Sequence, residues 1–310
     1  MKVLIVKIGW AEFLDERIEK SISLGDVFRS TVVLHLYKND HVTWLADEHG
    51  IPLLRGIKHI DRIVPFDLLS VLQLQSEYFD VVVNLEKVPG ICALVNNIKA
   101  GKKYGFRLNP VDGQIEAFQG AEKVLSISMD NELKKKLSKQ TYQDFLYELL
   151  GAKWNGEEYI LGYKPRSKEV FDIGLNHHIG AKWPTKHWGS ENWDEMEKRL
   201  KRKYTVSRQK GLSNIEEYID WLNSCRLIVT HDSLGLHLAL ALKKKVVALY
   251  GPTFSNEVYM YNRGVKILPP IKRECIPCMN PTCPYKKACI KFIDRDTVIK
   301  QIEKYLKKPS

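Results

Sequence analysis

Two short runs, Val3–Ile8 (VLIVKI) and Asp80–Leu85 (DVVVNL), constrain this chain more than any other feature. Each is a nearly unbroken row of apolar residues, mostly Val and Ile. Side chains alternate faces along a strand, so a short continuous row of this kind is buried on both faces. Sheets covered on both sides are parallel sheets with helical crossovers. His41–Leu45 and Ile60–Val64 read as shorter strands of the same sheet, while Asp26–Tyr37, Asp67–Gln75 and Pro89–Lys99 carry helix spacing or start signals between them. Strand and helix alternate, the pattern of a doubly wound α/β layer, which Lys139–Leu150 closes as an amphipathic helix.

The stretch Leu161–Ser167 (LGYKPRS) has the Gly, Pro and charge content of a linker, dividing the chain into domains 1–163 and 164–310. Beyond it the alternation starts again. Strands are predicted at Asp172–Asn176, Tyr204–Ser207, Leu227–Thr230 and Val246–Tyr250, with helices at Trp193–Arg202, Ile215–Ser224 and Leu234–Leu242. Two Rossmann-like halves facing each other across a cleft make the GT-B arrangement, and the helical pattern Asp296–Leu306 is expected to pack across the linker.

Composition excludes other classes. Hydrophobic residues make up 44% and charged residues 27%, values of a chain that buries a core and not of a disordered one. No apolar run approaches the ~20 residues of a membrane span. Met1–Ile8 enters a strand without a signal-peptide cleavage site, so the expected location is the cytoplasm. The net charge of +11 is uneven: residues 1–160 hold 20 Lys and Arg against 22 Asp and Glu, residues 161–310 hold 28 against 15. A basic second half suits a nucleotide diphosphate, an anionic membrane surface or nucleic acid. The runs at 134–136 and 243–245 read equally well as solvated lysine faces. No basic stripe interleaved with aromatics is present, so no nucleic-acid partner is expected.

The segment Ile228–His237 (IVTHDSLGLH) carries a buried strand into a helix through polar residues and glycine. At the carboxyl end of a parallel strand this turn presents backbone N–H groups and the positive end of a helix dipole, a phosphate site. Ser233 and Gly235 are read as letting oxygens approach that backbone, beside Asp232 and His237. Asp232 and Ser233 also serve helices as local caps. A second segment, Asn176–Trp188, holds Lys182, Thr185 and Lys186, two flexible cations and a hydroxyl suited to a diphosphate; Trp183 and Trp188 read as packing anchors. In the first domain Asp26 opens a helix, where partial burial would raise its affinity for a proton; an aspartate in a first helical turn also has a purely local reason.

In order, KVLIVKIG, SLGDVFRST, DVVVNL, YGF, KWPTKHW, GLSNIEEYIDWLNSCRLIVTHDSLGLHLALAL and VVALYGPT resemble glycosyltransferase family 9, the ADP-heptose:lipopolysaccharide heptosyltransferases, over nearly the whole chain. The resemblance implies an inverting transferase that uses no catalytic metal, with an ADP-linked sugar as donor and a saccharide or lipid-linked saccharide as acceptor at the inner face of the cytoplasmic membrane. Asp26 matches the family's general base, Lys186 its donor-phosphate contact, and Asp232, Ser233 and His237 its donor-binding turn. Arg29, Lys87, Lys102 and Arg107 are then expected to pair with an acidic acceptor. Two departures stand out. The charged stretch AEFLDERIEK lies between Trp10 and Ile22, where many relatives pass almost directly to the turn. Where relatives hold the ribose with a glutamate, this chain reads VSRQKG, leaving Gln209 to bond it. A nucleotide-sugar epimerase or hydrolase of the same architecture is the alternative, since fold does not fix reaction.

Four of the six cysteines, Cys275, Cys278, Cys283 and Cys289, fall within fifteen residues. In a reducing compartment they form a plausible S4 set for a structural zinc or iron, and equally a loop of reduced thiols. Similar segments occur in part of the family, one branch of which holds iron.

Overall fold

The computed structural model describes residues 1–10, 22–136, 139–180, 182–211 and 214–307; the whole charged stretch between Trp10 and Ile22 lies outside them. The chain divides into two compact units, Met1–Tyr163 and Lys164–Ser310.

In the first unit, β1 (Lys2–Val6), β2 (His41–Ala46), β3 (Arg62–Pro65), β4 (Tyr78–Asn84), β5 (Lys99–Leu108) and β6 (Ile115–Ala117) form one sheet in the order β3-β2-β1-β4-β5-β6. All neighbours are parallel except β5 and β6. The two apolar runs became its adjacent central strands, with Val3 opposite Val81 and Ile5 opposite Val83. Leu4, Val6, Val82 and Phe79 join Ile91, Leu94 and Val95 of helix Pro89–Asn97 in one core. β5 escaped the sequence reading because KAGKKYGFRL alternates lysine and glycine where apolar residues were sought. Gly105 within it has φ +91°, and a Cβ there would lie 1.8 Å from the Asn84 carbonyl oxygen, so only glycine lets β5 close on β4.

The helix expected over Asp26–Tyr37 is an α-helix only at Leu24–Arg29 and tightens to a 3-10 helix at Ser30–Leu36. Ser30 and Thr31 hydroxyls bond back to the carbonyls of Asp26 (2.7 Å) and Phe28 (2.8 Å), and Val32 and Val33 add β-branched crowding, both unfavourable to a regular α-helix.

The second unit holds β7 (Phe171–Asn176), β8 (Val206–Arg208), β9 (Cys225–His231), β10 (Lys245–Leu249) and β11 (Gly264–Ile267), all parallel, in the order β11-β10-β9-β7-β8. Ile173, Leu175, Leu227, Val229 and Val247 pack with Trp188, Trp193 and Met196 on one face. The C-terminal helix, Arg295–Lys307, buries Val298 and Ile302 in that same core, and Tyr305 donates to the Gly264 carbonyl at 2.9 Å. It belongs to the second unit's core, a correction to its expected place across the linker: its apolar stripe is consumed by β9 and β10.

Candidate active site

Strand order in the second unit reverses between β9 and β7, and in open parallel sheets the crevice at such a switch point, outside the carboxyl ends of the strands, is where ligands bind. β7 ends at Asn176, paired with Thr230 of β9. Asn176 is buried and fully engaged: its Nδ2 donates to Thr230 Oγ1 (2.8 Å) and more weakly to Ser233 Oγ (3.4 Å), while its Oδ1 accepts from the Tyr218 hydroxyl (2.9 Å). Ser233 is the extended N-cap of helix Leu234–Ala241, yet its hydroxyl makes no capping bond. That hydroxyl lies in the Asn176–Thr230 network, and the Leu236 N–H is taken by the Ser233 carbonyl (3.0 Å), so only the earlier N–H groups of the turn are left to a ligand.

Gly235 has a packing reason the sequence did not show: a Cβ there would lie 2.2 Å from Asn176 Nδ2 and 2.3 Å from the Tyr218 oxygen, so the glycine makes room for these two side chains. Asp232 lies one residue before the N-cap, so the expected capping role passes to Ser233's backbone position.

Lys186 reaches this turn from the 3-10 turn Pro184–Lys186, with Nζ 3.0 Å from the Asp232 carbonyl oxygen and 3.3 Å from its Oδ2. The loop is pinned by Trp188, fully buried, whose Nε1 donates to the Ile293 carbonyl (2.9 Å) and whose backbone N–H donates to His231 Nε2 (3.2 Å). His231 is therefore a core histidine. Burial, then the neighbouring His187 and Lys186, push it down to about 3, so it is neutral. Burial and Arg208 likewise bring His177 to about 4. Positive charge at this end of the unit thus comes from lysines and Arg208 and not from these histidines. Lys266 on β11 is a second lysine, its pKa lowered by burial and pulled back up by the charge of Asp232. Trp183 is half-buried beneath Lys186 (5.2 Å), so of the two expected anchors Trp188 alone is core.

Other predicted donor contacts are less gathered. Thr185 does not offer its hydroxyl proton to a ligand: it donates to the Asn280 carbonyl at 2.9 Å. Lys182 is partly buried on the same loop, and His237 is buried one turn along the helix from Ser233. Gln209 follows β8 with its backbone N–H on Leu175 (3.1 Å); its side chain is buried, and Oε1 meets no donor among the described residues. No role at the site is expected from the sequence for Asn176, Tyr218 or Lys266. The signals were there: an asparagine ending a buried strand, a lysine within GVKI.

In the first unit Asp26 lies in the first turn of helix Leu24–Arg29, its Oδ1 2.8 Å from Arg29 Nη2. The guanidinium sits 3.6 Å above the Tyr142 ring. The carboxyl expected to take the proton has a cation beside it. Arg29 thus appears as Asp26's partner first. Lys87 is buried near Phe106 (5.8 Å), Arg107 is bonded to Glu116 (3.0 and 2.8 Å), and Lys102 is exposed above Tyr104 (4.5 Å).

All four clustered cysteines are free thiols. Burial raises Cys278 and Cys289, helped in Cys278 by Cys275 and Cys283 and in Cys289 by Cys278, Cys283 and Cys275. As placed, they do not close into a metal site: no group of three or more His, Cys, Asp or Glu able to hold an ion occurs among the described residues. No helix of the described residues is long and apolar enough to cross a membrane.

The fold defines a chain of the GT-B class, two Rossmann-like α/β units, the second with a polar strand-to-helix turn at its switch point. Residues 211–289 match the model of Glycosyltransferase family 9 (heptosyltransferase), which bears out the resemblance read from the sequence. A curated relative, lipooligosaccharide heptosyltransferase 2 of Campylobacter jejuni, is 38% identical over 85 residues, 27% of this chain and 26% of the relative. The match thus spans about a quarter of that relative's length. Among solved structures, a glycosyl transferase of family 9 from Veillonella parvula superposes with a TM-score of 0.68 at 17% identity, over 98% of this chain and 96% of that one. The dodecameric iron-containing heptosyltransferase TibC of enterotoxigenic E. coli, solved in complex with ADP-D-beta-D-heptose, gives 0.61 at 13% identity over 98% and 77%. Some structures of this fold therefore contain iron.

Proposed function

We propose that this chain is an inverting glycosyltransferase that moves a sugar, heptose from ADP-heptose, to a hydroxyl of a lipopolysaccharide inner-core or related acceptor. The observation that carries the reading is Lys186 held against Asp232 at the N-terminus of helix Leu234–Ala241, Asp232 and the helix lying within the segment that matches the family model. A diphosphate bound there meets the helix N–H groups and a lysine ammonium. As the anomeric bond breaks, negative charge grows on the leaving phosphate, so these contacts strengthen in the transition state. Asp26, beside Arg29, accepts the acceptor's hydroxyl proton as that oxygen attacks the anomeric carbon from the opposite face, through an oxocarbenium-like transition state. Lys182, His237 and the unfilled oxygen of Gln209 supply further donor contacts, the last to a ribose hydroxyl. Lys102 is the leading acceptor contact. The reading places the enzyme in the cytoplasm, peripheral on the inner face of the membrane.

Melting-temperature shifts across ADP-, GDP- and UDP-sugars test it: ADP-heptose should stabilise the fold in proportion to occupancy. Inverted product should then appear only with an acceptor. Free heptose released without acceptor would favour a hydrolase.

The four-cysteine loop is proposed as a structural zinc or iron site. Four thiols are the right donor chemistry, but their positions do not form the set, so an ion would have to draw the loop together; no catalytic step passes through it. Elemental analysis of protein purified without chelator should find about one Zn or Fe per chain. Metal-free protein with full activity would remove the proposal.

A further inference from the structure

The first unit's sheet also reverses order, between β1 and β4, and a buried ion pair stands at that switch point. Lys7, one residue beyond β1, and Glu86, two beyond β4, have fully buried side chains with Nζ and Oε1 3.3 Å apart. Burying two charges costs much desolvation energy, and such a pair often stabilises a fold no better than apolar residues of the same volume. Its geometry offers another use. Glu86 Oε1 accepts the backbone N–H of Gly9 at 2.7 Å. The Gly9 carbonyl accepts the N–H of Ser23 at 2.6 Å, and the Ser23 carbonyl accepts those of Asp26 (3.0 Å) and Val27 (3.2 Å). The glutamate is itself held, its own N–H on Asn84 Oδ1 (3.0 Å) and that of Leu85 on the Val6 carbonyl (3.0 Å). Gly9, at φ +95°, has no space for a side chain: a Cβ would lie 2.5 Å from Val27 Cγ2.

We propose that Glu86, oriented by Lys7, is a positioning residue that fixes Gly9 and, through the Gly9–Ser23 hydrogen bond, sets where Asp26 stands. The catalytic part of this rests on Asp26 being the base for the acceptor. A hydrogen bond from a rigid strand end to Gly9 transmits the sheet's position to a six-residue helix that cannot hold itself in place. Small misplacement of a catalytic group is expensive, up to ~10²-fold for about 1 Å.

The test uses the full chain. Lys7→Met with Glu86→Leu removes both charges at similar volume, which avoids leaving one charge buried alone. Lys7→Met with Glu86→Gln also removes both charges but keeps an oxygen for Gly9. Hydrogen–deuterium exchange of peptides covering residues 5–10 and 22–28 should quicken at least ~10-fold in the leucine variant. Its kcat should fall about 10- to 100-fold with the KM for the nucleotide sugar nearly unchanged. The glutamine variant should recover most of both. Should the leucine variant fail to fold, Glu86→Asp, one methylene shorter, carries the same expectations with the charge retained. Wild-type exchange and kcat in the leucine or aspartate variant, or a glutamine variant as impaired as the leucine one, would overturn the inference. If the wild-type chain transferred no sugar at all, the proposed function would fall while the exchange measurement still decided whether Glu86 holds Gly9.

Discussion

Lys186 Nζ lies 3.0 Å from the main-chain oxygen of Asp232 and 3.3 Å from its carboxylate. The lysine thus stands at the N-terminus of helix Leu234–Ala241, and on the proposed function a diphosphate there would share it with Asp232.

Lys186→Ala should weaken ADP binding and lower turnover, each by roughly 10- to 100-fold, the scale of one charge-assisted hydrogen bond. Calorimetry with ADP measures the first. Unchanged affinity would reduce Lys186 to a partner of Asp232. Because Asp232 lies outside the helix cap, Asp232→Ala should leave the melting temperature near that of the wild type while still altering ADP affinity.

Asp26→Asn should cut transfer by ~10² to 10⁴-fold, the usual contribution of a general base, without changing ADP affinity, since the proposed anion-binding turn is built entirely within the second unit. Near-normal turnover in that variant would remove Asp26 from the mechanism.

Gly235→Ala should destabilise the second unit by about 1–3 kcal/mol, the cost of forcing a methyl into filled space. The space is filled by Asn176 and Tyr218, so combining it with Tyr218→Phe, which removes one of the overlapping atoms, should cost less than the sum. Additive losses in urea denaturation would count against this arrangement.

Stability should fall on acidification below about pH 6.5. His231 moves from 6.5 to about 3 on folding, so between those values the unfolded chain binds the proton and the folded one does not. Its contribution is complete above pH 6.5 and lost progressively toward pH 3, with a slope of up to about 1.4 kcal/mol per pH unit. His231→Asn, which cannot titrate, should flatten the profile between pH 6 and 4 in denaturation experiments. An unchanged profile would mean that other groups dominate, His177 first among them.

Local chemistry determined much of this protein from the sequence alone. Continuous Val and Ile runs can be satisfied only between two helical layers, so β1, β4 and β9 were legible, as was a polar strand-to-helix turn that names Asp232 and Ser233. A lysine such as Lys186 in a loop after a parallel strand is legible for the same reason. Tertiary structure alone decided what those residues meet. Asn176 and Thr230 are fifty-four residues apart and bond only because β7 pairs with β9, and Tyr218 completes the set from a helix whose pattern marks it simply as buried. Thr185 was drawn off to Asn280, ninety-five residues away. Lys7 and Glu86 read as an unremarkable cation and anion at two strand ends until the sheet order placed β1 beside β4. Periodicity reports which face of an element is buried, but strand order is a non-local choice, and the partner of a buried polar group is assigned only when that choice is made.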